Sequence, residues 1–232
     1  MKAKTIFFFP FLIFPSFFIF SQTFIDPAQS YNMMDIQNNS GKYYVVGNYK
    51  VKGSPFLFGG GQKGSLYAKN EYGGDIAISY NSYLQEVAFD VNTKERVIKE
   101  LINVDSFILK SDGDIIKEDL KFINAAHIPS DEKCFFQKVS EGQKFNLYKK
   151  YSSRLEIVST NIVQSELRQF ALKTDYFYLD KTKKIIKKLK IGKSSLVKQF
   201  KELRDLSFYV DDSNLNGDTE NVLKEIFRIL NE

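Results

Sequence analysis

Alternation of apolar and polar residues with a period of two most narrows what this chain can fold into, and it is clearest between Asp75 and Lys117. Ile76, Ile78 and Tyr80 alternate with smaller or polar neighbours, and Val87, Phe89 and Val91 repeat the pattern beyond Asn81-Ser82. That period sets one row of side chains on a buried face, as a half-buried strand requires. After a polar turn from Asn92 to Glu95, the runs Arg96 to Asn103 and Val104 to Lys110 continue the series. Asp112-Gly113 then stands between Phe107-Ile108-Leu109 and Ile115-Ile116. Asp-Gly between apolar runs predicts a tight hairpin, because glycine accepts positive φ freely. The stretch reads as an antiparallel meander.

The start of the chain bears on compartment. Lys2 and Lys4 precede an apolar run from Ile6 to Phe20, and Ser21 closes it before Gln22. A charged end, an apolar middle and a small residue predict a signal peptide over residues 1–21. A membrane-spanning helix needs roughly 20 apolar residues, and Pro10 and Pro15 interrupt this run, so export with cleavage is favoured over a retained anchor. The absence of cysteine near Ser21 argues against lipid attachment there. Cleavage would remove two lysines and no acid, lowering the formal net charge from +5 to +3. The 211 residues left are enough for one sizeable core or two small ones. A single cysteine, Cys134, excludes an intrachain disulfide, so in an oxidising compartment the fold must be held by burial.

Residues 22–41 are polar and aperiodic and read as a leader. Tyr43 to Val46 and Tyr49 to Val51 flank Gly47-Asn48, a turn pair suited to a hairpin. Gly53-Ser54-Pro55-Phe56-Leu57-Phe58 and the glycines 59–61 follow, closing with Gly64-Ser65. Further strands are predicted at Leu120 to Ala126, Arg154 to Val158 and Glu166 to Thr174. Cys134 to Val139 and Lys144 to Tyr151 flank a four-residue hairpin loop, and Asp175 to Leu179 and Lys184 to Ile191 flank another at Asp180 to Lys183. The period then changes. Leu196, Val197, Phe200, Leu203 and Leu206 fit one face of a helix capped by Ser194 or Ser195. Val222, Leu223, Ile226, Phe227 and Leu230 do the same from Thr219 to Asn231, with Asp218 as N-cap.

The run Gly53-Ser54-Pro55-Phe56-Leu57, a later Tyr80-Asn81 followed by Val87-Ala88-Phe89, and a lysine-rich tail with Leu196-Val197-Lys198-Gln199-Phe200 resemble a family of uncharacterised exported proteins of Bacteroidota. The phenylalanine-rich leader ending Phe20-Ser21-Gln22 is similar to export signals in that group. The resemblance implies an envelope location and a mostly β fold, and it implies no activity. The glycine cluster at 59–61 and the polar leader depart from it.

Few motifs promise chemistry. Gly192-Lys193-Ser194 before a helix suggests a phosphate loop, but Lys187 stands where Gly-x-x-x-x-Gly-Lys-Ser needs its first glycine. Asp212, Asn214 and Asn216 with Gly217 match the first half of a calcium loop, yet Leu223 occupies the position of the bidentate carboxylate. A polar turn between helices is the simpler reading. His127 is the only histidine, and Asp131, Glu132 and Cys134 follow it; a thiol nucleophile would need that imidazole, but Cys134-Phe135-Phe136 reads as a buried run. Gly-x-Ser-x-Gly is missing.

Lys181, Lys183, Lys184, Lys187, Lys188, Lys190 and Lys193 form the best candidate contact patch, with no acid among them. Such density suits an acidic partner or phosphorylated head groups; equally, lysines on an edge strand deter unwanted pairing. Tyr176, Phe177 and Tyr178 opposite would suit a single-strand nucleic-acid binder, a role that export disfavours.

The sequence therefore predicts a mainly β (α+β) protein: an antiparallel meander, sandwich or half-barrel over residues 42–192, with a packed helical pair over 193–232. The expected role is that of a non-enzymatic envelope protein, periplasmic or associated with the outer membrane, that binds another envelope protein and uses no cofactor, metal or nucleic acid. Membrane-surface contact through the lysine run is a second use of the patch. A carrier that encloses an apolar ligand among Phe56, Phe58, Phe89, Phe107, Phe122, Phe135 and Phe136 is the alternative, and a hydrolase with an unfamiliar site is a third.

Overall fold

The structure is a computed structural model that describes residues 50–69, 71–91, 95–99, 104–159 and 167–232. The expected signal peptide, the polar leader and the hairpin at Gly47-Asn48 lie outside these residues, apart from the start of strand β1 (Lys50–Lys52). Beyond β1 come β2 (Gln62–Ala68), β3 (Glu71–Asn81), β4 (Glu86–Val91), β5 (Glu95–Lys99), β6 (Ser106–Leu109) and β7 (Leu120–Asn124). They are followed by β8 (Phe135–Glu141), β9 (Phe145–Ser159), β10 (Leu167–Asp180) and β11 (Ile185–Lys188). Three helices close the chain: α1 (Lys193–Phe200), α2 (Asp212–Gly217) and α3 (Thr219–Asn231). The strands form one open mixed sheet in the order β1-β10-β9-β8-β7-β6-β2-β3-β4-β5, with β11 beside β1 on the outer side of β10. Every pairing is antiparallel except that of β1 with β10.

The sheet curls strongly. Tyr80 on β3 and Phe135 on β8 sit four strands apart in the order, a separation of about 19 Å in a flat sheet. Their rings are 5.7 Å apart, and Tyr80 also lies 5.3 Å from Phe107 and 5.4 Å from Phe122. Of the expected forms, the half-barrel therefore describes the molecule, and a two-sheet sandwich does not. The turn after β3 fastens the curl to β9, where Ser153 donates its backbone N–H to the Ser82 carbonyl (3.0 Å) and the two hydroxyls meet at 2.6 Å. Gln85 completes the joint. Its Oε1 accepts from the Tyr80 hydroxyl (2.6 Å) and the Phe135 N–H (3.3 Å), and its Nε2 donates to the carbonyls of Ser82 (2.8 Å) and Tyr151 (3.1 Å). All four capacities of the amide are used.

Next to this ring-filled interior, Phe145, Leu147, Tyr176 and Tyr178 pack under α1 and α3 against Leu196, Phe200, Leu223, Ile226, Phe227 and Leu230. On the opposite face of the same strands, Phe136, Tyr148 and Phe177 bury Cys134. β9 and β10 are therefore buried on both faces near the helices, which accounts for the unbroken run Tyr176-Phe177-Tyr178. Lys149 joins sheet to helix through Glu220 (2.8 Å) and lies 4.9 Å from the centre of the Tyr151 ring.

Several expectations are corrected. β2 was not predicted, because Gly64-Ser65 reads as punctuation; here Gly64 sits mid-strand between β3 and β6, where a Cβ would collide with the Ile108 carbonyl. Asp112-Gly113 does not form a tight two-residue hairpin, although the loop that holds it joins the adjacent strands β6 and β7. Asp112 and Gly113 donate their N–H groups to the Ile116 carbonyl within a longer loop that buries Ile116, and pairing resumes only at Leu120. The segments expected separately around Tyr151 and Arg154 form the single strand β9, and those around Thr174 and Asp175 form β10. The helical pair is three helices. α1 stops at Phe200, where Leu203 and Arg204 both donate N–H groups to its carbonyl, and Leu206 reaches the core from outside the helix. Its N-cap is Gly192 rather than a serine. α3 covers the predicted span, and Asp218 caps it by accepting from the Asn221 N–H (3.3 Å).

Candidate functional site at the lysine-rich edge

The β10–β11 turn presents the first lysines. Asp180 accepts the N–H groups of Thr182 and Lys183, each at 3.0 Å, a local bond that fixes a tight turn. The Lys181 N–H reaches the Lys144 carbonyl (2.9 Å), tying this turn to the one between β8 and β9. The register then decides how β11 faces. Leu189 donates to the Tyr176 carbonyl and Lys187 lies opposite Tyr178, so the backbone groups of Ile185, Lys187 and Leu189 face β10. Those of Ile186 and Lys188 face outward, while Lys184, with φ of 52°, belongs to the turn. Among the described residues no strand pairs with that outer side, and only the Lys188 carbonyl is engaged, by the Gln199 side chain (3.4 Å).

The lysines differ in how far they are neutralised. Lys188 pairs with Asp175 (2.9 Å), and Lys181 approaches Glu141 (3.9 Å). Burial alone would raise the Asp175 carboxyl, but Lys188 and Lys173 hold it below its ordinary value. Lys183, Lys184, Lys187 and Lys190 have no carboxylate partner among the described residues, and all four are exposed. The lysine run thus occupies a free edge.

Beside the turn lies a pocket of about 320 Å³ that the sequence does not reveal. Phe145, Leu203 and Leu230 give it an apolar wall, and Lys144, Lys183 and Arg204 stand with Asp180 and Glu232 at a rim of mixed charge. Arg204 is held in place by donating to the Ile229 carbonyl (2.8 Å) at the end of α3. Leu203, one of the residues expected to pack on a helix face, is instead 56% exposed here. Farther along, the Tyr209 N–H bonds the Leu206 carbonyl (3.0 Å), and buried Leu206 and Val210 anchor a turn that leaves Phe208 92% exposed. The sequence signal for that turn is the break in helical period after Leu206.

The other sequence candidates do not assemble into sites. At the proposed phosphate loop, the Lys193 N–H at the start of α1 is taken by Asp212 Oδ1 (2.8 Å), so the helix end already holds an internal carboxylate. Asp212, Asn214 and Asn216 lie on α2, where residues two apart point about 200° apart, so Asn214 faces away from the other two. His127 Nε2 meets Asp105 Oδ1 (2.9 Å) at the surface, while Glu132 pairs with Lys150 (2.5 Å). Cys134 is wholly enclosed, and burial pushes its thiol up to about 12, far from a reactive thiolate. Tyr176, Phe177 and Tyr178 are buried, so their rings offer no stacking platform. No group of three or more His, Cys, Asp or Glu side chains able to hold a metal occurs among the described residues.

A second cavity, of about 350 Å³, opens at the β2–β4 end of the curl over Leu66, Ala68, Ile76 and Phe89, with Lys69, Glu71 and Tyr72 at its mouth. The deeper rings of Phe107, Phe122 and Phe135 fill the interior against one another.

Fold and site together define a mainly β half-barrel with a helical cap and a basic free edge. No family model, curated protein or solved structure matches the chain. Among the described residues no helix is long and apolar enough to cross a membrane.

Proposed function

We propose that the chain is an exported, non-enzymatic protein of the cell envelope, in the periplasm or at the outer membrane, that acts by binding another envelope protein. The observation that carries this reading is the outer edge of β11, where Lys183, Lys184, Lys187 and Lys190 stand without carboxylate partners among the described residues, beside a pocket with an apolar wall. A charged edge with an apolar anchor point suits recognition of a complementary chain. Export rests on the predicted signal peptide and on the resemblance of the leader to export signals. The absence of an enzymatic role rests on the enclosed Cys134 thiol and on the separate engagements of His127 and Asp212. Recovery of the native protein from its envelope after mild crosslinking tests the reading. A discrete adduct with another envelope protein supports it, and recovery only as a free monomer overturns it.

A second reading, a carrier of an apolar ligand, is favoured by the cavity over Leu66, Ile76 and Phe89. Native mass spectrometry of the protein taken from its host would show a bound apolar small molecule if this reading holds, and only the bare chain if it does not.

A further inference from the structure

We infer that the protein recognised at this site contributes an acidic, extended segment that adds as a strand to the outer edge of β11. This rests on the docking proposed above and deepens it. The N–H and carbonyl of Ile186 and the N–H of Lys188 point away from β10 and have no partner among the described residues, so an incoming strand finds its hydrogen bonds ready. β11 is held rigid for this by four registered pairs with β10 and by the Leu189 N–H on the Tyr176 carbonyl (2.8 Å).

Charge selects the occupant. Seven lysines between Lys181 and Lys193 with no acid among them repel a basic strand, whereas carboxylates on an incoming strand meet exposed Lys187 on β11 and Lys184 and Lys190 just beyond its two ends. Lysines that protect an edge against indiscriminate pairing therefore admit one class of partner. Lys188 does not contribute, because Asp175 already neutralises it. The pocket next to Lys183, walled by Leu203 and Leu230, receives an apolar side chain at the end of the same segment.

The test uses protein purified from its native envelope and four probes. The first is a short peptide of alternating glutamate and valine; the second replaces glutamate by lysine; the third is the glutamate peptide N-methylated on alternate amides; the fourth is anionic phospholipid vesicles. The glutamate peptide is expected to bind, to weaken as salt rises, and to slow backbone hydrogen exchange at Ile186 and Lys188. N-methylation keeps the charge and removes the donors, so affinity should fall about tenfold, and Lys183→Glu with Lys187→Glu should abolish binding. Equal binding of the N-methylated or lysine peptide, or binding without slowed exchange, overturns strand addition. So does binding of vesicles alone, which would make the patch a membrane contact. If the envelope crosslink survives while these peptide results fail, docking stands and strand addition falls.

Discussion

Replacing Gln85 by alanine should undo the joint that closes the curl. Its side chain makes four hydrogen bonds, at 2.6, 2.8, 3.1 and 3.3 Å, that tie the turn after β3 to β8 and β9. The Ser82 carbonyl keeps a second donor, the Ser153 N–H, so its loss is small. The Tyr80 hydroxyl belongs to a side chain with no exposed surface, and the Phe135 N–H sits beside it. Each such group left unsatisfied costs about 1–3 kcal/mol, so a total near 3 kcal/mol follows once the longer bond to Phe135 is discounted. Gln85 has φ of 59°, and alanine bears the same left-handed strain, so backbone terms nearly cancel. For a domain of this size about 3 kcal/mol lowers the melting midpoint by roughly 6–12 °C. The chain has no tryptophan, so urea and thermal unfolding followed by circular dichroism is the assay. Leu84→Ala, at an exposed neighbour, is the control and should stay within about 0.5 kcal/mol. In a Tyr80→Phe background the cost of Gln85→Ala should shrink by about 1 kcal/mol or more. A Gln85→Ala protein as stable as the parent would refute the claim that this turn holds the half-barrel closed.

Three further outcomes follow from the packing and the buried groups. Asn231 acts as a strand end for β9: its Oδ1 accepts the N–H groups of Lys144 and Phe145, and its Nδ2 donates to the carbonyls of Phe145 and Phe227. Asn231→Ala should cost about 2 kcal/mol and speed hydrogen exchange at Lys144 and Phe145. Gly64→Ala should cost about 3 kcal/mol or prevent folding, since β6 would have to move away from the central strand β2; soluble expression and unfolding midpoint report it. Cys134 should resist thiol reagents at pH 8 until the protein unfolds. Its folded pKa lies above the unfolded value of about 8.5, so its stabilising share is complete below that pH and is lost as pH rises toward about 12. Burial also raises the Tyr80 and Tyr151 hydroxyls, which deepens the alkaline loss; unfolding measured between pH 8 and 11 checks the sign.

The sequence made legible what depends on local periodicity. The alternation at Ile76, Ile78 and Tyr80 and at Val87, Phe89 and Val91 gives β3 and β4, and the spacing from Val222 to Leu230 gives α3 with its Asp218 cap. β2 escaped because the residue that allows its central position, Gly64, is the residue type that marks a break when only local sequence is visible. The end of α1 escaped because Leu206 satisfies a helical spacing while reaching the core from a turn. For the candidate site, the lysine run and its place on an edge were legible, since a polar turn flanked by strands predicts the hairpin of β10 and β11. Lys144, Leu203 and Arg204 were not, because the pocket exists only once α1, α3 and the β8–β9 turn meet.

The most direct test of the docking claim is photocrosslinking in the living host with a photoreactive side chain at Lys187, whose neighbours Lys184 and Lys190 are likewise exposed and unpaired among the described residues. The account predicts one discrete adduct with a second envelope protein, carried on a segment rich in aspartate or glutamate, that disappears when Lys183 and Lys184 are changed to glutamate while the unfolding midpoint stays put. A protein that reaches the envelope folded and yields no adduct at this position, or the same adduct with and without the lysines, would contradict it.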